Sequence, residues 1–179
     1  MKALAFPLLL ALGGCASMGG ALIYKKNVDD YYSIGEASVF AAAGGPTIVY
    51  GAPANGARPS AVAESMRLPR YLSPQSLTAV EDAGDGLRLV LVFAPAIAAT
   101  SEQVCAGEAK GGVSGPRTKI FAVYCTGRAR PITEAIIEFE GAPLPGDPRF
   151  DSGMEGLLQV LFPPYSPRDR ERDCILPGC

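Results

Sequence analysis

Leu87-Arg88-Leu89-Val90-Leu91-Val92-Phe93 sets the architecture of this chain. Successive side chains of an extended segment point to opposite faces. Leu87, Leu89, Leu91 and Phe93 therefore share one face, and Arg88, Val90 and Val92 share the other. Arg88 is the only polar member, so both faces are expected to be covered, as in a strand inside a sheet. Pro95 ends the run, since proline cannot donate to a strand ladder.

Three further segments carry the same signal. Thr47-Ile48-Val49-Tyr50 is β-branched and aromatic, bounded by Gly45-Pro46 and Gly51. Ile120 to Tyr124 forms another strand, and Ile132 to Phe139 alternates in part. Between them, the glycine-rich stretch from Gly107 to Pro116 reads as a flexible connector. Two helices are predicted. Ser60 resembles an N-cap ahead of Ala61 to Met66, with Pro69 closing the segment. Asp147-Pro148 resembles an N-cap followed by proline at the first helical position. Phe150, Met154, Leu157, Leu158, Leu161 and Phe162 then recur at helical spacing until Pro163-Pro164. Ala37 to Ala43 is apolar and of ambiguous type, and a segment of undefined type runs from Ser73-Pro74 to Gly84. The order predicts an α+β domain: a mainly antiparallel sheet of about four strands with two to three helices packed on one face.

The N-terminus carries a different signal. Lys2 is followed by a short apolar run and then by Leu12-Gly13-Gly14-Cys15. This pattern resembles the lipobox of bacterial lipoproteins, in which the cysteine is lipidated and becomes the mature N-terminus. The apolar run is too short for the roughly 20 residues a spanning helix needs, so a cleaved leader is expected. The resemblance implies a diacylglyceryl anchor on Cys15, and two or more acyl chains hold firmly where one does not. Ala16, in place of aspartate, favours the periplasmic face of the outer membrane by analogy with sorting rules. The predicted organisation is a leader over 1–14, Cys15 and a tether over 15–35, a single domain over 36–164, and a charged tail over 165–179. Lys25 and Lys26 read as ordinary charges of a solvated linker.

Four other cysteines remain: Cys105, Cys125, Cys174 and Cys179. An even number in an oxidising compartment suggests two disulfides with three possible pairings. Cys105–Cys125 and Cys174–Cys179 are favoured. The first would close a loop of about 20 residues and contribute roughly 3 kcal/mol in the chain-entropy model. It also makes a topological demand. If Leu87–Phe93 pairs with Ile120–Tyr124 as a hairpin, residues 95–104 must run back along the sheet to bring Cys105 to Cys125.

The chain contains no histidine, so Ser-His-Asp and Cys-His pairs are absent, and the usual zinc sites lose their commonest ligand. Ser114 in Gly112-Val113-Ser114-Gly115-Pro116 has proline where a nucleophile elbow needs glycine. Glu134, Glu138 and Glu140 share a face by period two, which reads as the solvated side of a sheet, with Ile137 and Phe139 turned to the core. No catalytic residue, metal or cofactor is expected. A formal net charge of −2 and a pI near 5.2 argue against nucleic acid as a partner. Arg128 and Arg130, one residue apart beside Cys125, could contact an anion. The alternating Arg168-Asp169-Arg170-Glu171-Arg172-Asp173 reads as a solvated tail or a docking strip.

Leu89 to Pro95, Cys105, Phe121 to Cys125 with Gly127-Arg128, Asp147-Pro148-Arg149-Phe150 and Leu161-Phe162-Pro163-Pro164 together resemble a group of uncharacterised proteobacterial lipoprotein-like proteins. The similarity covers about residues 45–164. It implies a shared fold and a shared cysteine pair, and no activity. The expected function is a non-enzymatic, lipid-anchored periplasmic module that associates with the membrane and with another envelope protein. The alternative is a small-molecule or anion-binding lipoprotein.

Overall fold

The computed structural model describes residues 20–168. It is an α+β fold with one mixed six-stranded sheet and four helices among the described residues. The strands are β1 (Ala21–Val28), β2 (Pro46–Tyr50), β3 (Thr78–Ala79), β4 (Arg88–Phe93), β5 (Thr118–Thr126) and β6 (Arg130–Phe139). The helices are α1 (Ile34–Ala42), α2 (Pro59–Glu64), α3 (Ser101–Cys105) and α4 (Pro148–Leu161). Strand order across the sheet is β1-β6-β5-β4-β2-β3.

β4 lies inside the sheet between β5 and β2, and all six of its residues are buried. β5 and β6 pair antiparallel on one side of it, as expected. On the other side β2 runs parallel to β4, with Thr47 opposite Leu89 and Tyr50 opposite Val92. The expected sheet of four strands is thus mixed rather than mainly antiparallel, because β2 joins it parallel to β4, and it is extended by two edge strands, β1 and β3. The parallel pairing follows from the crossover: after β2 the chain forms α2 over one face and returns through β3 before starting β4.

β1 corrects the expected domain boundary. Residues 21–28 are an edge strand paired antiparallel with β6, not a tether. The register shifts between Tyr24 and Asn27, where Lys25 adopts a positive φ of 50°. That bulge breaks the period-two pattern and places two lysines on an exposed edge, where charge and bulges discourage strand addition.

Most of the core lies on the face covered by α1, α2 and α4. Phe40, Val62, Met154, Leu157 and Leu158 pack there against Leu89, Leu91, Phe93, Ile137 and Phe139. Phe40, Tyr124 and Phe162 form an aromatic cluster with ring centroids 4.8–5.4 Å apart. The ambiguous Ala37–Ala43 segment is α1, whose N-cap Ser33 accepts a hydrogen bond from the Glu36 amide at 3.1 Å. α4 begins as expected, with Asp147 accepting from the Arg149 amide at 2.8 Å and Pro148 in the first turn. α2 begins two residues earlier than expected: Arg58 is the N-cap and Pro59 the first helical residue, so Ser60 is inside the helix.

The helices are not all on one face. α3 crosses β4, β5 and β6 on the opposite side and packs Val104 and Cys105 against Val90, Val92, Phe121 and Val123. A capping box starts it: the Thr100 hydroxyl accepts from the Gln103 amide, and the Gln103 side chain accepts from the Thr100 amide.

Candidate functional site

The strands define two ends of the sheet. At one, Arg88 lies opposite Cys125 and the 127–129 turn joins β5 to β6; this is the pinned end. At the other, Phe93 lies opposite Ile120 and Ala21 opposite Phe139; this is the open end.

The pinned end holds the cysteine pair that the sequence singles out. Cys105 and Cys125 form a disulfide with Cα atoms 5.7 Å apart. The chain leaves β4 at the open end, turns, and runs back through α3 to reach Cys125, as the topological demand requires. Beside the bridge is a feature that the sequence reading left as a lone polar residue. Arg88 is 4% exposed, and its guanidinium donates to four backbone carbonyls. These are Gly86 at 2.9 Å, Gly127 at 2.7 Å, Cys105 at 2.6 Å and Arg128 at 3.0 Å. One buried cation therefore ties the start of β4, the end of α3 and the β5–β6 turn together. An arginine beginning an otherwise apolar strand, just after Gly86, is the signal that could have found it, because a buried charge must be hydrogen-bonded.

A cleft of about 600 Å³ opens beside this clamp. Tyr50, Arg88, Cys105 and Arg128 line it, together with the carboxylates Glu81, Asp82 and Asp85. All three carboxylates are on exposed residues. Arg128 approaches Asp85 at 3.9 Å, with both side chains mostly in solvent, so that pair contributes little. Three carboxylates against two guanidiniums give the cleft an acidic balance, and Arg88 spends four of its five N–H donors on carbonyls.

Arg130 is directed elsewhere. Its guanidinium lies 4.9 Å from the centre of the Tyr31 ring, and that of Arg168 lies 4.5 Å from the same ring. Arg128 lines the cleft beside the clamp and Arg130 does not, so the two guanidiniums expected to contact an anion together are directed to different surroundings. Arg130 and Arg168, both far in sequence from Tyr31, meet on its ring instead.

The carboxylates of β6 also differ from expectation. Ile137 and Phe139 do face the main core. Glu138 accepts from the Tyr24 hydroxyl at 3.3 Å and lies 3.9 Å from Arg117. Glu134, however, is only 9% exposed, and its Oε2 has no hydrogen-bond partner. This face is dry there because α3 covers part of it. The three glutamates do not converge on one cleft.

The Gly107–Pro116 stretch is packed rather than a flexible connector. The Gly112 amide donates to the Phe93 carbonyl at 2.9 Å, and Ala52 and Val113 form a parallel bridge. A side chain at Gly111 would collide with the Tyr50 backbone, which explains the glycine. Ser114 is 5% exposed with an unpartnered hydroxyl, so it is not presented as a nucleophile.

Three tyrosines gather near the end of α4. Tyr32 donates to the Pro163 carbonyl at 2.8 Å, and Tyr71 donates to the Phe162 carbonyl. Burial raises the pKa of both hydroxyls, with Tyr71 adding to the effect on Tyr32. Burial, then Glu36 and Tyr32, raise that of Tyr124. All three remain protonated at neutral pH, Tyr32 and Tyr71 as donors and Tyr124 with a buried hydroxyl that has no hydrogen-bond partner.

Cys15, Cys174 and Cys179 lie outside the described residues. Among the described residues, no group of three or more metal-ligating side chains is placed to hold an ion, and no helix is long and apolar enough to cross a membrane. No family model matches this chain, and neither a curated protein nor a solved structure matches it.

Proposed function

We propose that this chain is a non-enzymatic lipoprotein of the bacterial envelope, anchored through Cys15, that contacts another envelope protein with the pinned end of its sheet. One observation carries the contact: Arg130 and Arg168 converge on the exposed ring of Tyr31. Arginine and tyrosine are the side chains that dominate the energetic centres of protein interfaces. Tyr165, also exposed, follows the same Pro163-Pro164 segment and adds a second ring to this end. The clamp at Arg88 and the Cys105–Cys125 bridge support the reading, because a preorganised surface loses less freedom on binding.

Two measurements test it. Cys15→Ala should move the mature chain from the membrane fraction to the soluble periplasmic fraction; unchanged membrane retention rejects the anchor. Site-specific photocrosslinkers at Tyr31 and Tyr165 in living cells should each give a discrete adduct with one protein, lost when Arg130 and Arg168 are both replaced by alanine. Adducts that persist in the double variant reject the contact surface.

A further inference from the structure

We propose that the open end of the sheet is the surface this protein lays against the lipid bilayer. The proposal rests on the lipid anchor at Cys15 and adds the orientation of the body. Gly20, the first described residue, is the fifth after Cys15. Five residues reach at most about 18 Å when fully extended. The ten residues of β6 span about 33 Å, so the connection is much shorter than the sheet is long. The chain enters β1 at the open end, where Ala21 pairs with Phe139. A lipidated Cys15 therefore holds this end close to the headgroups.

A second observation is independent of the anchor. Four of the six large aliphatic side chains exposed among the described residues gather at the same end, one on β1 and three on loops; the other two, Ile34 and Val39, are on α1. Leu22 is 63% exposed beside Glu138, near the end of β6. Ile97 is fully exposed in the turn that leaves β4. Val113 is 66% exposed where residues 112–114 pair with Ala52, next to Phe93. Leu144 is 36% exposed in the turn that follows Phe139. The pinned end instead exposes Tyr31 and Tyr165 among charged groups. Four aliphatic tips, Leu22 on the edge strand and the others on three separate loops, form no continuous groove for a peptide, but they match the shallow apolar boundary of a bilayer, into which apolar side chains enter a few ångströms deep. Arg117 and Lys119 stand against Glu138 and Glu140 here, which leaves no excess of positive charge for anionic headgroups, so insertion of the tips holds the surface.

The chain contains no tryptophan, so one introduced at a time is a unique reporter. Ile97→Trp, Val113→Trp and Tyr165→Trp would be made in the full chain. Each variant, extracted with its lipid, would be reconstituted into phosphatidylethanolamine and phosphatidylglycerol vesicles doped with a brominated phosphatidylcholine. The expected result is a blue shift and loss of emission at positions 97 and 113, with position 165 unchanged. Leu144→Trp replaces Val113→Trp if circular dichroism shows that the latter does not fold. Flotation of the same samples reports the anchor separately. A chain that does not float overturns the anchor and the orientation together. A floating chain whose open-end reporters are not quenched overturns the orientation alone, as does equal quenching at position 165. A blue shift without bromine quenching assigns the open end to a second copy of the chain, and also overturns the proposal.

Discussion

At the pinned end, Arg88, the Cys105–Cys125 bridge and the 127–129 turn lock three segments into one unit. At the open end, the same strands run out into loops whose aliphatic tips stay in solvent. The difference lies in how each end satisfies its backbone. The pinned end uses a buried cation and a covalent bond, both of which hold position without a large apolar core. The open end relies on backbone pairing of loops with strand ends, such as Gly112 to Phe93 and Thr118 to Gly141, and leaves apolar surface uncovered. Rigidity is thus concentrated away from Gly20, where the described chain begins, and four of the six exposed large aliphatic side chains lie at the end where it begins.

The largest effect is expected from Arg88→Met, which keeps an unbranched stem and removes the guanidinium and its donors. Four carbonyls lose a charge-assisted partner, and the loss should be on the order of 4 kcal/mol in urea unfolding, since each such bond contributes about 1.5–3 kcal/mol and the four are not additive. A loss below about 1 kcal/mol would show that water replaces the clamp. Next is the bridge. Replacing Cys105 and Cys125 by alanine together should cost about 3 kcal/mol, from the closed loop of 20 residues. A matching loss should appear when the parent is reduced, with spectroscopic changes confined to the pinned end.

Gly153→Ala probes the helix-covered face near the open end. Helix propensity alone predicts a gain of about 1 kcal/mol. The new Cβ, however, would collide with the Phe139 ring, which stacks on Phe150 at a centroid distance of 5.6 Å. The expected net result is a loss of about 2 kcal/mol, because overpacking outweighs propensity; a stabilised variant would mean that the ring moves aside freely. The smallest effect is expected from Thr100→Ala, which removes the N-cap of α3 and should cost about 1 kcal/mol. The disulfide keeps α3 docked, so the loss should appear chiefly as faster amide exchange over residues 101–105.

How much of this was legible in the sequence differs by element. β4 and α4 were readable because burial on both faces and a clean helical period leave strong patterns. The return of residues 95–104 followed from the Cys105–Cys125 pairing. β1 was not readable, because the bulge at Lys25 breaks its alternation and its exposed edge carries linker-like charges. The parallel pairing of β2 with β4 depends on a crossover of some three dozen residues, which no local pattern encodes. Arg88 was visible but undervalued, since its partners are backbone carbonyls from distant segments. The Arg130–Tyr31–Arg168 meeting is likewise a product of tertiary structure. Arg128 and Arg130 were paired by their spacing alone, but their side chains go to different partners.

Hydrogen exchange of the lipidated chain, compared in detergent-free vesicles and after enzymatic release of the body from its anchor, measures both ends at once. The account predicts that the bilayer adds protection over residues 94–98, 111–117 and 141–146 and leaves residues 127–130 unchanged. Protection gained at residues 127–130, with none at the three open-end loops, would contradict it.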